Sequence, residues 1–361
     1  MLRESPLTLH LPSCWLADST TGGGEGEDRC RKVVQVADEY TLTASLTSET
    51  GILWRRFRGQ KGNSGRVSPM ISEARSPLPV SPDEAVQLAR SLYGLETIAR
   101  SLPGEYDSNF HLISADGRAF VLKVMHSSRD REFIDMQCAA LTHLAHRVPE
   151  LALSRVQLTR LGETFAKACL RNGDERFVWL LSFLPGRVLA EVRPHTPELL
   201  RSLGRLLGQI DLALQNFSHP AAIRALKWDL AQAEWIRKYL FHIEDPSRRT
   251  MIERVLERYE SQVVPQLPTL RKSVIYGDAN DYNVLVNSPS APSREVVSVI
   301  DFGDMHHGLV VAEPAVAAAY ALLGKSEPLA AAAALVEGFH GVFPLEETEL
   351  SVLFPWSGPF H

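Results

Sequence analysis

Two carboxylates and a carboxamide with the means to do chemistry stand close together near the C-terminal end of the chain. Asp278 lies in Val274-Ile-Tyr-Gly-Asp278-Ala-Asn-Asp-Tyr-Asn283-Val-Leu-Val, with Asn283 five positions further on, and Asp301 follows in Val299-Ile-Asp301-Phe-Gly-Asp304. A carboxylate at Asp278 is the right group to take the proton of an acceptor hydroxyl. Asn283 offers a neutral oxygen and Asp301 an ionised one, the hard donors that suit Mg²⁺ when it bridges to nucleotide phosphates. One base and two metal oxygens in this order point to phosphoryl transfer. Apolar strands on either side would fix all three side chains at strand ends.

Other residues fit the same chemistry. Lys123 sits inside the apolar strand Phe120-Val-Leu-Lys123-Val. Burying an ammonium there is costly without an anion, so Lys123 either faces water on an edge strand or meets the α and β phosphates of a nucleotide. The loop Leu102-Pro-Gly-Glu-Tyr-Asp-Ser108-Asn-Phe is placed to cover those phosphates with backbone N–H groups and the Ser108 hydroxyl. A partner for Lys123 is expected on the following helix, where Gln137 matches the apolar spacing best and Glu132 is the second candidate. Asp281, Asp304 and Glu313 could hold a substrate amine, or serve as loop hydrogen bonds and caps. His306 and His307 read as surface or loop histidines, because adjacent residues rarely ligate one zinc ion.

The elements that must position these groups can also be read. Ser81-Pro82-Asp83-Glu84 is a helix start with a capping box, and Gly94 ends that helix. Strands are expected over 110–113 and 119–124, turned by Ala115-Asp116-Gly117, then at 156–158, 165–170 and 177–183, with one helix carrying Met136, Ala140, Leu141 and Leu144 inserted. After Leu184-Pro185-Gly186 the pattern turns helical. Helices are expected from Thr196 to about Leu214, over 228–242 and 247–263, and after Val310 and Glu327, with a strand at 296–300. A small antiparallel β lobe, a hinge and a helical lobe make an α+β, bilobal, protein-kinase-like fold. The domain reading is an extension over 1–78, an N-lobe over 79–184 and a C-lobe over 185–361.

Composition narrows the class. With 361 residues there is room for a bilobal domain plus an extra segment. A net charge of −5 disfavours nucleic acid as a partner. The stretch Ser19 to Asp28 is low in complexity; its Gly22–Gly24 run is followed at once by acids that would repel phosphate, and residues 1–78 read as a disordered extension. Four scattered cysteines without a CxxC pair read as free thiols. The best apolar run, 309–323, is broken by Glu313 and Pro314, and the first residues hold no signal-like apolar core. A cytoplasmic protein with no membrane partner is the expectation.

The motif strings around Asp278, Asn283 and Asp301 resemble the aminoglycoside phosphotransferase family, the choline/aminoglycoside kinase-like group, and within it the hydroxylysine kinase branch. The 102–110, 120–124 and 301–308 strings also resemble kinase domains fused to class III aminotransferases. The likeness spans about residues 79 to 355 and is most specific at the two motifs. It implies transfer of the γ-phosphate of ATP or GTP to a hydroxyl of a small amine-bearing metabolite, an amino-alcohol or hydroxy-amino-acid of the hydroxylysine type. Aminoglycoside, choline and homoserine are the alternative acceptors. Carried over by position, Lys123 binds phosphates, Asp278 is the base, Asn283 and Asp301 hold Mg²⁺, and the Ser182-Phe183-Leu184 backbone reads the purine. Two departures stand out. Tyr276 occupies the place of the family's usual His, and relatives continue past Trp356-Ser-Gly-Pro-Phe-His361, so a truncated C-lobe is expected. A catalytically silent nucleotide-binding module is therefore the other reading.

Overall fold

The computed structural model describes residues 80–104 and 106–357; the expected extension over 1–78 lies outside them. The first helix starts as its sequence dictates. The Ser81 hydroxyl accepts the Glu84 N–H at 3.2 Å, α1 runs Pro82–Leu88, and a looser turn over Ala89–Tyr93 ends at Gly94, φ 69°. The hairpin of β2 (Ser108–Ser114) and β3 (Ala119–Val124) closes on Asp116, which takes bonds from the Ser114 hydroxyl at 2.5 Å and from Arg118 Nε at 2.7 Å.

The N-lobe sheet has six strands, one more than its sequence predicts. The extra one is β1 (Thr97–Leu102), an edge strand on β2 that buries no residue and leaves Ile98 60% exposed, so it lacks the apolar alternation that marks a strand. β3 pairs antiparallel with β6 (Glu175–Ser182), whose far edge carries β4 (Val156–Gln157) and β5 (Ala166–Cys169). Side chains alternate across this sheet. Leu122, Val124, Val178 and Leu180 meet α1, while Met125, Trp179 and Leu181 join the main core with α2 (Arg131–Arg147). Lys123 pairs in register with Trp179 and so points to this second face.

The chain then crosses through Leu184-Pro185-Gly186 and β7 (Arg187–Val188) into the helical lobe. Its centre is α3 (Pro197–Leu214), capped by Thr196, with Leu199, Leu203, Leu206, Leu207, Ile210 and Leu214 buried. The predicted helix at 228–242 is instead a 3₁₀ stretch, Leu230–His242, kinked at Gln232. Only Leu230, Ala233 and Leu240 are buried there, which leaves little packing to hold a regular α-helix. After α4 (Pro246–Arg258) come the strands that carry the motifs. β8 (Lys272–Ile275) pairs with β11 (His306–Leu309), and β9 (Val284–Val286) lies between β7 and β10 (Val296–Val299). Helices α5 (Ala312–Leu322), α6 (Pro328–His340) and α7 (Glu347–Ser357) follow.

Helices α3 and α6 touch through glycines. A Cβ on Gly204 would fall onto the Leu335 carbonyl and lie 2.7 Å from the Phe339 nitrogen. Neither backbone atom can step aside, so Gly204→Ala must spread the helices. Overpacking of this kind costs roughly 1–3 kcal/mol. Thermal unfolding of that variant is expected several degrees below the wild type, and an unchanged melting temperature would contradict this helix contact.

Candidate active site

The turn that leads into Asp278 is held from below by two buried acids. Asp211 from α3 accepts the Tyr276 N–H on Oδ1 at 3.3 Å, and Glu313 from α5 accepts the Gly277 N–H on Oε2 at 2.5 Å. Both carboxyl groups are fully buried. Gly277 has φ 78°, and a Cβ there would come within 3.1 Å of the Asp304 carbonyl and 3.2 Å of the His306 ring. Only glycine combines that conformation with so close an approach. The Asp278 carboxylate is gripped by two amides. Asn280 Nδ2 donates to Oδ1 at 2.8 Å and Asn283 Nδ2 donates to Oδ2 at 2.6 Å.

The second motif is tied to the first through Tyr276. Its hydroxyl donates to the Ile300 carbonyl at 2.6 Å, and its ring meets Phe302 edge-on at 5.0 Å. Ile300 N–H in turn donates to the Asn283 carbonyl at 2.8 Å. Asp301, next in the chain, has φ 59°, a left-handed conformation that Asp adopts more readily than most residues. Its Oδ1 accepts the Gly303 N–H at 3.1 Å and lies 3.3 Å from Lys123 Nζ. Lys123, 7% exposed, thus has the anionic partner that its burial requires.

Electrostatics separates the carboxyl groups. Burial, with the charges of Asp304 and Asp301 adding to it, pushes Asp278 up to about 7. The Lys123 ammonium holds Asp301 below the usual carboxylate range. Burial raises Asp304, with Arg224 opposing. Arg224 reaches over from the loop after α3, donating to the Gly303 carbonyl and lying 3.9 Å from Asp304, with its guanidinium over the Phe133 ring.

The donor set fits a magnesium nucleotide. The Asn283 Oδ1 takes no hydrogen bond among the described residues, because the amide turns its nitrogen toward Asp278. The Asp301 carboxylate is half exposed and already draws a cation, Lys123. No cluster of three His, Cys, Asp or Glu suited to a metal occurs among the described residues. Two oxygen ligands are what Mg²⁺ needs when phosphates and water complete its shell.

Lys123, Asp278, Asn283 and Asp301 therefore converge. Ser108 opens β2 opposite Val124, and its loop is tied down by Asn109 Nδ2 to the Pro103 carbonyl at 3.2 Å and by the His126 N–H to Asp107 at 2.7 Å. At the hinge, Ser182 is occupied by Arg155 through both its N–H and its hydroxyl, whereas the Leu184 N–H has no hydrogen-bond partner among the described residues. Gln137 is buried but bonds through Nε2 to the Phe133 carbonyl at 3.3 Å, and no bond joins it to Lys123; Glu132 is exposed. Two expectations are corrected. His306 is not a surface or loop residue: it lies in β11, is 4% exposed, and its Nδ1 meets the Asp304 carbonyl at 2.9 Å. Glu313 cannot hold a substrate amine, because it is sealed under the Tyr276–Gly277 turn. Sequence reasoning missed Asp211 and Arg224. Asp211 leaves a trace, a lone acid within the buried side of a Leu-rich helix.

Burial lifts both Asp211 and Glu313, each also raised by a neighbouring carboxylate, and Glu313 reaches about 8 from an ordinary 4.5. A raised acid binds its proton more tightly in the folded state, so its contribution is complete below the unfolded value and is lost as pH rises through the folded one. Glu313→Gln keeps the acceptor for Gly277 and removes the titration. Urea unfolding from pH 5 to 8.5 is expected to show the wild type losing more stability than this variant. Equal losses would mean that Glu313 is ionised throughout.

Similarity to known proteins agrees with this geometry. Residues 98–350 match the APH phosphotransferase enzyme family. Hydroxylysine kinase of Xenopus laevis is 32% identical over 297 residues, covering 76% of this chain and 78% of that protein. The Bos taurus hydroxylysine kinase is 29% identical over 292 residues, covering 75% and 77%. Among solved structures, an amicoumacin kinase in complex with AMP-PNP, Ca²⁺ and Ami superposes with a TM-score of 0.58 at 15% identity, covering 77% of this chain and 83% of that one. A microcompartment-associated aminopropanol kinase gives 0.57 at 18% identity, covering 75% and 84%. These structural likenesses bear out the bilobal α+β fold. By its matched residues and its relatives, the chain belongs to the APH phosphotransferase enzyme family and is a small-molecule kinase.

Proposed function

We propose that this kinase moves the γ-phosphoryl group of ATP or GTP to the hydroxyl of a small amine-bearing acceptor of the hydroxylysine type, with Asp278 as the base. The observation that carries the reading is the pose of Asp278. Its carboxylate is oriented by two side-chain amides, one of which belongs to Asn283, a candidate metal ligand. The likeness to the hydroxylysine kinases supports the acceptor class.

In this mechanism the acceptor hydroxyl gives its proton to Asp278 as its oxygen bonds to the γ-phosphorus. The bond to the bridging oxygen breaks, and the nucleoside diphosphate leaves. Asn283 Oδ1 and the Asp301 carboxylate would hold Mg²⁺, which supplies charge neutralisation on the phosphates. Lys123 pairs the α and β phosphates. The 103–108 loop with Ser108 covers the phosphates, and the Leu184 N–H, with the Ser182–Leu184 backbone, meets the purine edge. Tyr276 replaces the family's His by bonding to the Ile300 carbonyl, which keeps the metal-side Asp301 in place. Asp281 and Asp304, both half-buried by the same loops, are the groups for a substrate ammonium. Partners are thus a nucleotide and a small acceptor in the cytoplasm, without nucleic acid. No helix among the described residues is long and apolar enough to cross a membrane.

Asp278→Asn is expected to lower turnover by about 10²–10⁴-fold while nucleotide binding persists. The measurement is phosphate transfer from ATP and GTP to 5-hydroxylysine, homoserine, choline and an aminoglycoside. Full turnover by the variant would remove Asp278 from the role of base. Nucleotide binding without transfer to any acceptor would favour the silent module.

A further inference from the structure

A group of cations stands beside the motif loop. Lys325, in the turn between α5 and α6, places Nζ 3.0 Å from His195 Nδ1, and Arg193 Nη1 lies 2.8 Å from the Nε2 of the same ring. Arg294 adds a third charge, donating to the Arg193 carbonyl at 2.7 Å. Arg193 spends Nη1 on backbone carbonyls, 3.1 Å to Ala190 and 2.6 Å to Val192. Neither Arg193 nor Lys325 has a carboxylate oxygen within 4 Å among the described residues; burial and the Arg193 charge lower the proton affinity of Lys325, and the Asp281 charge opposes them.

The imidazole cannot satisfy both neighbours. Burial and the Lys325 charge lower its proton affinity, so it is neutral, with one N–H and one lone pair. Whichever ring nitrogen carries the proton, one cation faces an N–H instead of an acceptor. The Leu189 carbonyl lies 3.1 Å from Nε2, which puts the proton there and leaves Arg193 as the donor facing a donor. Fixed positive charge with surplus donors is an arrangement that an incoming anion relieves.

The position of this group says which anion. His195 lines a small recess with Leu189, Ala279, Asp281 and Tyr320, and Ala279 is the residue after Asp278. The Ala190 N–H donates to the Asp281 carbonyl at 2.9 Å, fastening the Arg193 segment to the motif loop. Tyr320 is raised by burial and by the charges of Asp278, Asp281 and Asp304, which sets it among the site's carboxylates. Asp281 and His195 both line the recess, and His195 carries Lys325 and Arg193 on its two ring nitrogens.

We propose that Lys325 and Arg193, joined through His195, form a subsite for the carboxylate of the acceptor, so that the enzyme selects a hydroxy-amino acid over a simple amino alcohol. This rests on the kinase reading above, and it divides the acceptor between two poles. The ammonium lies toward Asp281 and Asp304, the carboxylate lies on the Lys325 rim, and the hydroxyl is left at Asp278. Lys325 and Arg193 act by binding and take no part in proton transfer.

The test compares 5-hydroxylysine, its carboxamide and 1,5-diaminopentan-2-ol with the wild type, Lys325→Met and Lys325→Arg, using Arg193→Gln as a second site should the Met variant fail to fold. The wild type is expected to prefer the acid. Lys325→Met should raise the KM for the acid roughly tenfold or more, leave the KM for the carboxamide and for nucleotide in place, and keep kcat within a few-fold. Lys325→Arg should restore most of the loss. Equal use of acid and carboxamide by the wild type, or an equal loss on both in the variant, overturns the subsite and leaves the kinase reading intact. Transfer to 1,5-diaminopentan-2-ol alone overturns the subsite together with the hydroxy-amino-acid acceptor.

Discussion

Gathering like charges in a half-covered cleft is the constraint on which this structure depends. Burial and the neighbouring carboxylates raise the proton affinity of Asp278 and, through Asp301, of Asp304, and left to themselves such groups move apart or neutralise. Two opposing devices hold them. Cations reach in from distant parts of the chain, Lys123 from the N-lobe sheet and Arg224 from the loop after α3. Backbone geometry does the remainder, through a left-handed Gly277, a left-handed Asp301 and amide bonds to Asp278.

The support beneath this cluster is unusual in being acidic itself. Asp211 and Glu313 accept successive N–H groups of the Tyr276–Gly277 turn from two different helices. A buried carboxyl that keeps its proton carries no net charge and still accepts a hydrogen bond, so the turn is held without adding another anion to the site. Tyr276 then passes the constraint on to the second motif through Ile300. The segments that carry Asp278 and Asp301 are thereby fixed as one unit.

The cleft is also polar in the directional sense. Lys123 meets the carboxylates from the N-lobe sheet, and Lys325 and Arg193 stand on His195 beside the motif loop. Such an alternation suits a substrate that itself alternates in charge, which ties the acceptor question to electrostatics more than to cavity shape.

How much could be read beforehand depended on range. The hairpin at Asp116, the capped starts at Ser81 and Thr196 and the order Lys123, Asp278, Asn283, Asp301 are local patterns, and each is found where its sequence places it. β1 and the 3₁₀ stretch over 230–242 were illegible because neither buries a regular apolar stripe. The burial of His306 and the sealing of Glu313 depend on β11 lying against β8 and on α5 lying under the turn. Sequence alone therefore pointed to phosphoryl transfer, because the candidate base, metal oxygens and phosphate lysine are written as short motifs with fixed spacing. Only the tertiary structure decided which charges face one another. The pairs Lys123–Asp301, Asp211–Tyr276 and Lys325–His195 join residues far apart in the chain, and electrostatic energy depends on distance in space, which no local pattern encodes.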